Sequence, residues 1–241
     1  MSMTDDVAVA RRVCPVIFLL DTSGSMHGEP IGAVNSAIEG ILPELKSMNE
    51  DNADAEIMIG ILAFSFGADW ITGEQLVSPT DYHFNALDAN GQTAMGDAFR
   101  KLNAKLSSKT GFLTRATGSV APVLFLLSDG VPTDDYRSGL SALQANSWYK
   151  VAARVAVGYG DCDDNILREF TGNSETVLHT NDPQELRRMI RFVTITSSMV
   201  ASKGSGSASS ANPDDNTKVV AEELKAQGEG GLAVSDPNDG F

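Results

Sequence analysis

Two cysteines in 241 residues, Cys14 and Cys162, are too few for a disulfide-built scaffold or a four-thiolate zinc site. Basic residues are also scarce: 18 Lys and Arg stand against 32 Asp and Glu, a net charge of −14. A chain so acidic is repelled by phosphate backbones and anionic lipid, which argues against nucleic-acid and membrane-surface partners. Apolar runs such as VIFLL at 16–20 fall far short of a bilayer span. The first residues, MSMTDDVAVARR, carry acids where a secretory leader carries bases, so the expected compartment is the reducing cytoplasm with both thiols free. Nucleotide hydrolysis of the P-loop kind is excluded because no G-x-x-x-x-G-K-[ST] segment exists. No G-x-S-x-G elbow occurs, and Asp21-Thr22-Ser23 lacks the second aspartate that phosphoaspartate hydrolases place two residues on.

What remains is 42% apolar, enough for a sizeable core. Continuous apolar strands are expected at Val16–Leu20, Glu56–Phe64, Val123–Leu127 and Val151–Val157, with a weak one at Thr176–His179. Between them, helical patterns cover Pro30–Lys46, Thr93–Leu106, Tyr136–Asn146, Asn165–Phe170 and Pro183–Thr196, with Pro43 expected to end or kink the first. Only Ser65, Phe66 and Gly67 separate Glu56–Phe64 from Ala68–Thr72, so that pair should form an antiparallel edge hairpin. The pattern predicts an α/β fold: a doubly wound, mostly parallel sheet with one antiparallel edge strand, and ligands at the carboxyl ends of its strands. Residues 1–11 read as an N-terminal extension and 12–196 as the domain. The acidic Ser/Gly-rich stretch 197–241 reads as a flexible tail in which only 219–226 could form helical turns, on a partner.

Three loops at those strand ends carry oxygen donors. The first strand runs into Asp21-Thr22-Ser23-Gly24-Ser25, the fourth into Ser128-Asp129-Gly130, and a helix opens at Gly91-Gln92-Thr93. Asp21, Ser23, Ser25, Thr93 and Asp129 form a hard-donor set without sulfur or imidazole, suited to Mg²⁺ or Mn²⁺. A capping role would suffice for any one loop, but three at one switch point favour a metal site. Elsewhere the signals are weaker. The acidic loop Asp161-Cys162-Asp163-Asp164-Asn165 has Ile166 and Gly172 where a calcium loop needs Gly and Glu, so it reads as solvated. His27, His83 and His179 are scattered in the chain, and only His27 adjoins the metal loop, as a rim or surface residue rather than a general base.

The Asp-x-Ser-x-Ser, Thr, Asp pattern over residues 12–196 resembles the von Willebrand factor A domain and its metal-ion-dependent adhesion site (MIDAS). That resemblance implies that Ser23 and Ser25 bind a cation directly and Thr93 directly or through water, while Asp21 and Asp129 hold its waters. It also implies a last helix that shifts when the site fills. The segments LLDTSGSM, GEPI, GQTAMGDA, FLLSDGVPTDD and AVGYG are similar to the bacterial TerY/YegL-like branch, associated with tellurite-resistance and stress loci that encode a protein kinase and a phosphatase. The resemblance therefore implies a non-enzymatic binding module whose protein partner, a kinase or phosphatase, supplies an acidic residue to the metal. Adaptor for an AAA-type remodelling ATPase is the rival role. Mg²⁺-dependent phosphoester hydrolysis is weaker, since no residue is nominated to activate a nucleophile.

Overall fold

Alternation of side chains along the first strand decides the layering. In the computed structural model, which describes residues 11–51, 55–114, 118–160, 162–203 and 215–228, β1 (Arg12–Asp21) sends Val16, Phe18 and Leu20 to one face and Ile17 and Leu19 to the other. All five are fully buried, so the strand is covered on both sides. Each such side chain contributes about 1.5–3 kcal/mol by leaving water. Against β1 lie β2 (Ala55–Phe64) and β4 (Val123–Ser128), both parallel, with Leu20 level with Ala63 on one side and Leu127 on the other. The short β3 (Ala68–Trp70) pairs antiparallel with β2. Beyond β4 come β5 (Ala153–Tyr159) and β6 (Val177–Thr180), giving the order β3-β2-β1-β4-β5-β6. The chain moves outward from β1 in both directions, so the switch point lies between the carboxyl ends of β1 and β4.

On one face pack α1 (Glu29–Asp51) and α6 (Pro183–Lys203). On the other pack α2 (Met95–Lys105), α3 (Tyr136–Ala145), α4 (Ser147–Val151) and α5 (Asp164–Thr171). The fold class and edge hairpin agree with the sequence reading. Several elements differ in extent: α6 runs past the expected Thr196 to Lys203, into the stretch expected as tail, and β3 stops at Trp70 instead of Thr72. Pro43 does not end α1, which continues to Asp51 because tertiary contacts outweigh the roughly 3 kcal/mol cost of an interior proline. Leu45 is fully buried beyond it, and Asn49 exchanges two side-chain hydrogen bonds with the Ile57 backbone at 2.6 and 2.9 Å. The strand expected from Val151 starts two residues later, since Asn146 caps the one-turn α4 through its side chain and the Trp148 N–H.

The tail also differs. The turns expected at 219–226 belong to a longer helix, α7 (Asp215–Gly228), and its partner is the domain itself. Val220 and Ala221 are buried beside α6 and β5. Thr217 Oγ1 donates to the Ala152 carbonyl at 3.0 Å and accepts from Arg154 N at 3.3 Å, while Asn216 donates to the Val151 carbonyl. Val220 thus supplies the apolar anchor and Thr217 satisfies backbone groups at the start of β5. The rest of the expected tail beyond residue 203, and the N-terminal extension apart from Arg11, lie outside the described residues.

Candidate metal centre

Asp21 ends β1 with its carboxylate fully buried. One oxygen accepts from the Ser23 N–H at 2.8 Å and the other from the Ser128 hydroxyl at 2.5 Å. From there polar contacts run outward: Ser23 Oγ and Ser25 Oγ lie 3.0 Å apart, and the Ser25 hydroxyl donates to Asp129 Oδ1 at 2.8 Å. Ser23 is buried, Ser25 exposed and Asp129 half-buried, so the chain of oxygens reaches solvent at Ser25. Thr93 comes from the third loop. Its hydroxyl and that of Ser25 both lie over Gly130, where an added methyl would sit 3.3 and 3.8 Å from them. All five residues singled out in the sequence therefore meet at the switch point. Of the histidines, His27 and His83 are exposed on the surface.

Neighbouring groups hold these loops in place. Thr22 donates from its backbone and its hydroxyl to the Phe64 carbonyl, at 2.9 and 3.1 Å. The Gly24 N–H donates to Gly91 O, and Asn90 N–H to Thr22 O, which clips the long 71–94 connection over the Asp21 loop. Gly91 adopts a left-handed conformation under the Phe66 ring, where any side chain would clash at 2.6 Å. The α2 helix lacks a side-chain cap of its own. Asp134, from the loop after β4, supplies one by accepting from the Gly96 and Asp97 N–H groups at 2.8 and 2.9 Å. Thr133 adds a side-chain acceptor for the Thr93 N–H and a backbone N–H for the Thr93 carbonyl. The Thr93 and Asp129 loops are thereby one unit. Sequence reasoning misses Ser128 and Asp134: Ser128 ends β4 and Asp134 lies in the loop after it, and only the fold reveals their partners.

The electrostatics are unbalanced. Burial pushes the Asp21 carboxyl up to about 6, against hydrogen bonds from Ser128 and Ser23 that lower it. Burial also raises Asp129. Among the described residues no Lys or Arg forms an ion pair with either carboxylate. A buried carboxylate is ordinarily paired or turned toward a cation. With hydroxyls from three loops beside it, this donor set fits a hard divalent ion.

A family model for the von Willebrand factor type A domain matches residues 16–191. The mouse collagen alpha-6(VI) chain is 26% identical over 181 residues, 72% of this chain and 7% of that one. Among solved structures, a von Willebrand factor type A protein from Catenulispora acidiphila is 22% identical, with a TM-score of 0.55 over 79% of this chain and 43% of its own. Proximal thread matrix protein 1 from the mussel byssus, with a zinc-occupied MIDAS motif, is 16% identical with a TM-score of 0.59, covering 77% and 48% of the two chains. This chain thus spans less than half the length of each of these relatives. The match of the family model to most of the sequence, together with the doubly wound sheet, shows that the chain belongs to the von Willebrand factor type A domain family.

Proposed function

We propose that this chain is a metal-ion-dependent protein-binding module, in which Asp21, Ser23, Ser25, Thr93 and Asp129 hold one Mg²⁺ or Mn²⁺. The observation that carries this reading is the fully buried Asp21 carboxylate, left without Lys or Arg at the mouth of three hydroxyl-bearing loops. Following the resemblance in sequence, Ser23, Ser25 and Thr93 offer neutral hydroxyls, and Asp21 and Asp129 orient waters. When bound, the cation supplies an electrophilic point that an acidic side chain of a partner can coordinate. The mussel byssus protein carries zinc in its motif. Here the all-oxygen donor set favours the harder Mg²⁺ or Mn²⁺.

The rim supports a protein partner. Phe66 and Val131 are 73% and 60% exposed, and both flank the site: Phe66 covers Gly91 and Val131 follows Gly130. Apolar side chains beside a charged contact point suit an interface in which packing surrounds one acidic anchor. No helix among the described residues is long and apolar enough to cross a membrane. On the similarity to the TerY/YegL-like branch, the proposed partner is a cytoplasmic stress-signalling kinase or phosphatase. Calorimetric titration with Mn²⁺ tests the site: one equivalent should bind, and Asp21→Ala or Ser25→Ala should lose it. Unchanged binding in both variants would refute the assignment. A kinase or phosphatase partner should bind in Mg²⁺, be released by EDTA, and fail to bind Thr93→Ala; equal affinity in all three conditions would place its contact on another face.

A further inference from the structure

A second cluster of metal-ligating side chains lies two strands away, outside the five-residue site. Cys162 follows β5, Asp164 opens α5, and His179 stands on β6. Their ligand atoms face one another: Cys162 Sγ lies 3.5 Å from His179 Nδ1 and 3.6 Å from Asp164 Oδ1, and those two lie 3.3 Å apart. The His179–Asp164 separation exceeds the 2.7–2.9 Å of a good charged hydrogen bond, while the two to sulfur are also of ordinary sulfur hydrogen-bond length. All three separations match the edges of a tetrahedron. An ion with bonds of about 2.3 Å to sulfur and about 2.0–2.2 Å to nitrogen and oxygen spaces such ligands about 3.5, 3.6 and 3.4 Å apart.

The arrangement does not suit a cysteine nucleophile. A relay needs the imidazole to meet the thiol on one nitrogen and the carboxylate on the other. Here both approach the same Nδ1. Space for the cluster comes from Gly158, which pairs with His179 across the sheet. A methyl at Gly158 would lie 2.3 Å from Cys162 Sγ and 3.1 Å from His179 Nδ1. Its backbone is outside the left-handed region, so the position needs glycine for room rather than for conformation. Arg168 holds the other Asp164 oxygen at 3.3 Å, orienting the carboxylate toward Sγ and Nδ1. Asp164 and His179 are each a little over one-third exposed, so an ion can enter from solvent.

We propose that Cys162 Sγ, Asp164 Oδ1 and His179 Nδ1 bind one zinc-class divalent ion, leaving a fourth position for water or a partner's donor. On binding, the S–H bond breaks, the sulfur lone pair goes to the metal, and the proton passes to buffer; no electron changes hands. Mixed sulfur and nitrogen ligation separates this site from the all-oxygen one, so each takes a different ion.

Full-length protein stripped with EDTA and titrated with Co²⁺ tests the assignment. One equivalent should give a near-ultraviolet thiolate-to-cobalt charge-transfer band, which Zn²⁺ then displaces. Cys162→Ser should abolish the band, while Ser23→Ala and Thr93→Ala should leave it intact. Asp164→Asn and His179→Gln should each weaken binding at least about tenfold. Absence of the band in the wild type, its persistence in Cys162→Ser, or unchanged affinity in His179→Gln would overturn the proposal. In the unmutated chain, Zn²⁺ should also slow alkylation of Cys162 at least about tenfold, and an unchanged rate would overturn it equally.

Discussion

Replacing Asp21 by Asn separates what the site costs from what it does. The substitution keeps the shape and an acceptor for the Ser23 N–H, removes the charge, and sets an amide NH₂ where the second oxygen accepts from Ser128, whose hydroxyl can turn to accept instead. Burial raises the Asp21 carboxyl from 3.8 to about 6 in the folded, metal-free protein. At pH 7.5 the group is ionised in both states, and a rise of that size disfavours the folded one by about 3 kcal/mol. The sign follows from proton binding: between pH 4 and 6 the folded state holds the proton more tightly than the unfolded chain. Through Asp21, wild-type protein in EDTA therefore gains stability as pH falls from about 6 toward 4. Asp21→Asn should be more stable than wild type in EDTA at pH 7.5, by up to about 3 kcal/mol, and this advantage should vanish near pH 4. Urea unfolding at pH 7.5, 6 and 5, with matched slopes for the two proteins, measures it. Mn²⁺ at a thousand times its Kd should reverse the order, since wild type then gains about 4.1 kcal/mol and the variant gains little. If Asp21→Asn is the less stable protein in EDTA at pH 7.5, the buried charge is compensated and the argument for a cation fails.

Three further outcomes follow from the packing. Asp134→Ala removes the acceptor for two N–H groups at the start of α2, which should cost about 1–2 kcal/mol and weaken Mn²⁺ binding through Thr93; chemical unfolding and calorimetry read the two effects. Val220→Asp puts a charge where a fully buried side chain anchors α7, so amide exchange at 216–226 should accelerate and stability should fall by about 2 kcal/mol or more; unchanged exchange would show that the helix is held elsewhere. Burial pushes the Cys14 thiol up to about 12, so in native protein a thiol reagent should leave Cys14 untouched until denaturant is added, and modification at Cys14 first would contradict the packing of β1.

The parallel core was legible because buried strands are written as unbroken apolar runs. Val16–Leu20 and Val123–Leu127 are both of this kind, and each is followed within two residues by a carboxylate. The three-residue gap at Ser65–Gly67 likewise forced an antiparallel edge. Pro43 misled because propensity speaks for an isolated helix, while the α1 end is held by Leu45 and by the Asn49 bonds to β2. The stretch 215–228 misled in the same direction. Its composition is that of a chain unable to build a core, but α7 needs only Val220, Ala221 and two polar side chains to dock on a core already made.

The two clusters differ in legibility for a topological reason. At the β1–β4 end, Asp21 and Asp129 stand at or just after the strands that position them and Thr93 just before the helix α2, so a switch-point argument suffices to bring the three together. At the β5–β6 end the donors are split between an acidic loop and a four-residue strand whose register no hydrophobic pattern fixes. Cys162 alone reads as a thiol in a solvated loop, and His179 as one scattered histidine. Pairing decides the matter: Ser128 lies level with Gly158, and Gly158 with His179. A single row of the sheet thus carries the Asp21 partner Ser128, the glycine that makes room, and the imidazole that fills it. A shift of β6 by one residue would turn His179 to the opposite face and leave Cys162 without its nitrogen partner. The second cluster is therefore a property of strand register, and the first of sequence adjacency to element ends.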